Sequence, residues 1–397
     1  MTGAALPRPR RAEHLGSLLR PAELLGYASQ DTNATARRQI ENREITIVVN
    51  EQLKIGFKAV SDGEYRRSLF WGTFFDNLEG FEAVPLDANG LRTYLPDIKV
   101  LLESPFAPGA STMCTGKIRH PGSSNHLDEF LFLRSVVGPE NAGNIKITIP
   151  APSWYHFRHK DGMAYAKGVY DSDTGYFEDL AVVYRQELQI LYDAGLRRVQ
   201  IDDPHLSYLC SPQIIEDWAA DPESIQTPTE LLETYVNWYN SCLGNVPEDI
   251  HIGIHICRGN FTNDRYVSTG GYDIIASRLF RDLNVNTYYL EYDTPRAGGF
   301  EPLKSLPLNK YVVLGVISTK KAEMEDLEEL KGRVYKAAEY IAEGNNVSLD
   351  VALERLAVSP QCGFASHCRE NRLTRQNMLE KLQLVRDLAY SIWGSQA

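Results

Sequence analysis

No window of this chain approaches the run of about 18 apolar residues that a membrane-crossing helix needs, so no membrane partner is expected. The N-terminus has no apolar stretch behind Pro7-Arg8-Pro9-Arg10-Arg11 and reads as a short basic arm, not a secretory signal. Cysteine is scarce: six in 397 residues, without an export signal, argue against a disulfide framework. A cytoplasmic location is the expectation, with reduced thiols free to act as ligands. Positive charge is in deficit too. A formal net charge of −11 and the lack of aromatic–basic interleaving argue against nucleic acid as a partner. Internal repeats and low-complexity linkers are also missing, which removes the usual signs of a second domain.

What is present is a chain that is 43% hydrophobic, enough for a large core. Its most informative stretch is His251-Ile252-Gly253-Ile254-His255-Ile256-Cys257, which alternates apolar and non-apolar residues after the turn-like Pro247-Glu248-Asp249. Gly259-Asn260 marks where that strand stops. Strand side chains alternate, so His255 and Cys257 project from one face. An imidazole and a thiol side by side at a strand's end make half of a zinc site.

Other strands follow the same plan. The pattern predicts eight, near residues 15, 58, 145, 198, 250, 287, 311 and 357, most of them separated by helical periodicity. Helices are expected from about Pro21, over Asn33–Phe57, Phe177–Ala194, Thr229–Cys242 and Met324–Glu343, and from Thr374 to Trp393. Residues 66–141 are irregular and rich in aromatics, prolines and glycines, with a hairpin expected around Thr112–Arg119. Almost every strand ends in a polar, chemistry-bearing residue. That is the layout of an α/β (β/α)8 TIM barrel, whose site is built at the C-terminal strand ends. The expected organisation is one zinc-binding barrel domain over residues 1–397, with an elaborated insertion at about 66–141 between the second and third strands. Nothing argues for or against a homo-oligomer.

Zinc takes four ligands from cysteine, histidine and carboxylate. Glu291 stands at the end of the sixth expected strand and Cys362 at the end of the eighth. With His255 and Cys257 they make a candidate metal set. Each has a plainer reading: a core histidine, a small buried thiol, Asp293 as competitor on the face of Glu291, and His367-Cys368 as rivals of Cys362.

These residues carry a resemblance. His255-Ile256-Cys257, Leu290-Glu291-Tyr292-Asp293 and Ser359-Pro360-Gln361-Cys362-Gly363 resemble the zinc-ligand motifs of the cobalamin-independent methionine synthase catalytic domain. Leu15-Gly16-Ser17, Asp62-Gly63-Glu64 and Gln200-Ile201-Asp202-Asp203-Pro204 are similar to the family's segments that hold the substrate amino acid. The motifs run in the family's order from residue 15 to 363, as in its short, single-barrel members. The resemblance implies Zn2+ as cofactor and a methyltransferase of methionine biosynthesis. It also implies a small-molecule thiol such as homocysteine as acceptor, bound at its amino-acid end by Ser17, Glu64 and Asp202. Glu291 is expected to be the ligand that yields to the incoming thiol.

The methyl-donor side departs from the family pattern. The family's tryptophan after the third strand stacks on a folate pterin, and here Trp154 falls two places late. Its catalytic histidine after the seventh strand is replaced within Ser318-Thr319-Lys320, leaving Lys320 as the candidate proton or charge carrier. A folate donor is therefore left open. Two further readings stand beside methyl transfer: alkyl transfer or C–S bond chemistry of the epoxyalkane–thiol transferase type, and a non-catalytic structural-zinc barrel.

Overall fold

The computed structural model describes residues 7–27, 34–103, 110–259, 267–365 and 372–396. Its centre is a parallel sheet of six strands in sequence order: β3 (Ile147–Pro150), β4 (Arg198–Asp202), β5 (His251–Ile256), β6 (Thr287–Glu291), β7 (Tyr311–Ile317) and β8 (Leu356–Pro360). Every residue of these strands is buried. Parallel strands covered on both faces tend to be apolar throughout, as β7 and most of β3 and β8 are, whereas β4 and β5 alternate apolar residues with buried polar ones such as Gln200, Asp202, His251 and His255.

Helices form the crossovers. Asp173–Asp193 joins β3 to β4, and its inward stripe includes Leu180, Tyr184, Leu188 and Leu191. Pro212–Ala220 and Pro228–Cys242 lead to β5, the latter started by a capping box between Thr227 and Glu230. Asp273–Asp282 leads to β6, Leu327–Asn345 to β8, and Arg375–Trp393 follows β8. Between β6 and β7 the described residues form only short 3-10 turns, Pro295–Ala297 and Glu301–Ser305. The helices at 125–137, 212–220 and 273–282 were not predicted from periodicity; each is short or interrupted by polar residues.

The first two expected strands differ from expectation. Neither forms a ladder: Ala12 makes a single parallel bridge to Val358, and Val60 makes one to Ile145. The backbone turns away directly after each, with Gly16 at φ +92° and Gly63 and Glu64 at φ +68° and +60°. A left-handed backbone cannot continue a strand. The two segments still touch, because Leu18 N–H donates to Gly63 O at 3.0 Å. The layout is thus (β/α)8, with six positions held by the continuous sheet and two by single bridges.

The stretch around Thr112–Arg119 is one strand, β2 (Ala110–Arg119), and not a hairpin by itself. Its antiparallel partner is β1 (Glu79–Pro85), a segment in which no residue is buried. Helix Asn125–Val137, capped by the Ser124 side chain, then carries the chain toward β3. Among the described residues no helix is long and apolar enough to cross a membrane.

Candidate metal centre and active site

The C-terminal ends of β4, β5, β6 and β8 converge, and the in-register pairing explains why. Asp202 stands opposite His255, Leu290 opposite Ile256, and Glu291 opposite Gly315. Gly315 is required here, since a Cβ would lie 2.7 Å from Gln361 Cα. The result is one cluster: ligand atoms of His255, Cys257, Glu291 and Cys362 all lie within 4.8 Å of one another. The two sulfurs are 3.3 Å apart. Residues 367 and 368 lie outside the described residues.

Each donor is held by a neighbour. His255 Nδ1 faces Tyr289 O at 3.3 Å, which leaves Nε2 buried without a hydrogen-bond partner. Cys257 Sγ accepts from Gly259 N–H at 3.3 Å. Glu291 is buried with both oxygens engaged: Oε1 accepts from Arg258 N–H at 2.6 Å and Oε2 from Arg296 Nη2 at 3.0 Å. Gln361 binds Thr319 twice, through Oε1 and Nε2, and so fixes the turn that carries Cys362.

Crowding so many acids in one buried place perturbs all of them. Burial, then the charges of Cys362 and Asp293, push Glu291 up to about 7 against Arg296 and His255. Burial pulls His255 down, but the Cys362 sulfur beside it and the charges of Asp202 and Glu291 outweigh that and hold it at about 9. Within the sulfur pair Cys362 ionises more readily, because Cys257 hydrogen-bonds to it and His255 and Lys320 lie near it. Groups that resist charge when packed together are relieved by a cation among them.

Beside the cluster lies a second polar group. Thr148 Oγ1 donates to Glu64 Oε1 at 2.7 Å and accepts from Arg67 Nη1 at 2.9 Å, while Arg67 forks onto Glu129 at 3.1 and 2.6 Å. Glu64 has its unusual positive φ because Asp62 Oδ1 accepts its N–H in a tight turn. Gly16 permits its approach, since a Cβ there would sit 2.6 Å from Glu64 Oε1. Asp202 accepts from Gln200 Nε2 at 2.7 Å; burial, then Glu64 and Cys362, push its carboxyl up to about 7. Asp202 stands beside His255 in the sheet register, and the charges of Glu64 and Cys362 both reach it. Ser17 meets the Cys362 turn: Ala365 N–H donates to its Oγ at 3.4 Å, and a Cβ on Gly363 would fall 2.0 Å from that oxygen.

Asp203 has a different task. It caps the 3-10 turn His205–Cys210 through His205 and Leu206 N–H and accepts from Tyr239 OH. Lys320 Nζ donates to Gly259 O at 2.8 Å, and burial lowers its ammonium while Glu291, Cys362 and Cys257 push back. Trp154 is buried; His205 stacks on it at 4.8 Å, the Arg158 guanidinium sits 3.7 Å from its centroid, and Trp71 lies at 4.4 Å. Thr148, Arg67, Arg258 and Arg296 were missed in the sequence. Arg67 has a local signal, three residues after Glu64, but Arg296 stands in an irregular turn beyond Pro295 and has none.

Fold and site define the class: a (β/α)8-type protein with its chemistry-bearing side chains gathered at the C-terminal strand ends. Residues 171–390, over half of the chain, match the family described as cobalamin-independent synthase, catalytic domain. The chain is 34% identical over 396 residues to the uncharacterized protein YxjH of Bacillus subtilis, covering 97% of this chain and 95% of that one. It is 22% identical over 356 residues to a methionine synthase of Saccharolobus solfataricus, covering 87% and 84%. A solved putative vitamin-B12 independent methionine synthase from Listeria monocytogenes superposes with a TM-score of 0.69 at 29% identity, over 98% of this chain and 99% of that one. A B12-independent methionine synthase from Shewanella sp. W3-18-1 has the same fold, with a TM-score of 0.63 at 17% identity over 98% and 96%. The chain belongs to the cobalamin-independent methionine synthase family of methyltransferases.

Proposed function

We propose that this chain is a zinc-dependent methyltransferase that passes a methyl group from a small-molecule donor to the thiol of homocysteine or a similar amino-acid thiol. The observation that carries the reading is the convergence of His255, Cys257, Glu291 and Cys362 from three strand ends, with all four ligand atoms within 4.8 Å. Tetrahedral zinc, with bonds of ~2.0–2.3 Å, spaces its donors ~3.3–3.8 Å apart, which this set can meet with small adjustments. The buried, unpartnered His255 Nε2 is the lone pair such a site requires. Two cysteinates, one carboxylate and one neutral imidazole around a dication leave the site formally about −1. Bound Zn2+ supplies the means to hold a coordinated thiol as thiolate at neutral pH.

The chain's own residues supply recognition and positioning. Glu64 and Asp202 are two acids able to hold an α-ammonium, and Ser17 with nearby N–H groups takes the α-carboxylate. Asp202 ties that end to the sulfur end, because it stands opposite the candidate ligand His255 in the strand register. Glu291 is the donor proposed to give way to the incoming thiol, which keeps the local charge constant. Lys320 places a cation beside the reacting sulfur, where it offsets negative charge. Trp154 is proposed to shape the donor side through the packed ring group it forms with Trp71 and His205. The five cysteines among the described residues are all free, which supports a cytoplasmic enzyme.

Metal analysis tests the reading. Wild-type protein is expected to hold one zinc per chain, and Cys257→Ser and Cys362→Ser to lose it while remaining folded. A folded wild-type protein that takes up no zinc would overturn it.

A further inference from the structure

Of the four candidate donors, Glu291 has its charge shared before any cation arrives. Arg258 N–H engages Oε1 at 2.6 Å and Arg296 Nη2 engages Oε2 at 3.0 Å. Arg296 also reaches Asp293 Oδ1 at 3.4 Å. All three side chains are covered, at 0% exposure for the two acids and 9% for the arginine. Solvent therefore does little to weaken the pull of the guanidinium.

The position of Arg296 is built. It lies in the turn Pro295–Ala297, and its carbonyl accepts from Gly270 N–H at 2.9 Å. Two residues on, Gly298 at φ +76° presses against Gly271, where a Cβ would come within 2.6 Å of the Gly271 Cα. The backbone that carries the guanidinium is thus anchored from outside the strand that carries Glu291. A carboxylate that accepts from a guanidinium offers less electron density to a metal, and outer partners of this kind tune metal sites.

We propose that Arg296 is a positioning residue that keeps Glu291 the weakest of the four donors and receives its carboxylate when an incoming thiolate takes its place. This rests on the zinc reading above, and the test separates the two. The probe is Co2+ loaded into the full-length protein, whose visible and near-ultraviolet bands report sulfur ligands. In the wild type, homocysteine is expected to shift those bands. In Arg296→Met, cobalt should be held at least as firmly against a chelator, while homocysteine affinity falls about 10–100-fold, the scale of outer-partner effects. Arg296→Lys should fall between. Because Asp293 loses its partner in Arg296→Met, the pair D293N/R296M repeats the test with charge balanced, and circular dichroism checks the fold of each variant.

A homocysteine titration of Arg296→Met that overlays the wild type overturns the proposal. So does loss of cobalt and homocysteine affinity together in both Arg296→Met and D293N/R296M, the signature of a merely structural clamp. A wild-type protein that binds no cobalt refutes the zinc reading itself, and this proposal with it.

Discussion

Replacing Thr148 by valine separates recognition of the amino-acid end from chemistry at sulfur. Thr148 is buried, and its hydroxyl joins Glu64 to Arg67 at 2.7 and 2.9 Å. Valine keeps the shape and removes both hydrogen bonds. Hydrogen bonds to charged groups contribute roughly 1.5–3 kcal/mol each, and about 2 kcal/mol of lost positioning corresponds to about a 30-fold loss of affinity. The assay is calorimetric titration of zinc-loaded protein with two thiols: homocysteine, which has an amino-acid end, and 2-mercaptoethanol, which has none. Homocysteine affinity should fall about 10–30-fold while 2-mercaptoethanol affinity and zinc content stay unchanged. Equal losses for both thiols, or no loss for either, would refute the assignment of Glu64 and its supports to the amino-acid end.

Two further outcomes follow from the geometry. Gly16→Ala should weaken homocysteine binding without loss of zinc and lower stability by about 1–2 kcal/mol, since it forces a side chain into a left-handed backbone and against Glu64; unchanged binding in a folded variant would count against it. At the opposite end of the sheet, burial pushes the Glu13 carboxyl up, but Lys146 at 2.8 Å and Arg198 hold it at about 2, below the ordinary 4.5. A depressed carboxylate stabilises the fold above its unfolded pKa and loses that contribution as pH falls, so about 3 kcal/mol should disappear between about pH 4.5 and 2. Urea midpoints against pH measure it, and an identical acid slope in Lys146→Met would contradict it.

The candidate site was more legible than the frame around it, in that its four proposed donors do come together. His255, Cys257, Glu291 and Cys362 stood out because each closes or follows an apolar run, and a buried parallel strand leaves few places for polar chemistry except its end. Helix boundaries with capping residues, such as Thr227 and Thr374, were also readable to within a few residues. β1 was not, because Glu79–Pro85 is largely exposed and gains its strand form from a partner some thirty residues later. The two single-bridge segments read as full strands because their composition suits a strand; the positive φ values at Gly16, Gly63 and Glu64 end them early. Arg296 was invisible for a different reason, whereas Arg67 left a faint local trace three residues after Glu64. A buried arginine acquires meaning only from the carboxylates that the fold brings to it, and nothing in the local sequence around Arg296 announces Glu291 as its partner.

The most direct measurement of the central claim is zinc X-ray absorption on the purified protein with and without homocysteine. The account predicts two sulfur and two nitrogen or oxygen neighbours at rest, and three sulfurs with one nitrogen once the thiol is added, as Glu291 withdraws. A zinc environment that gains no sulfur at saturating homocysteine would contradict it.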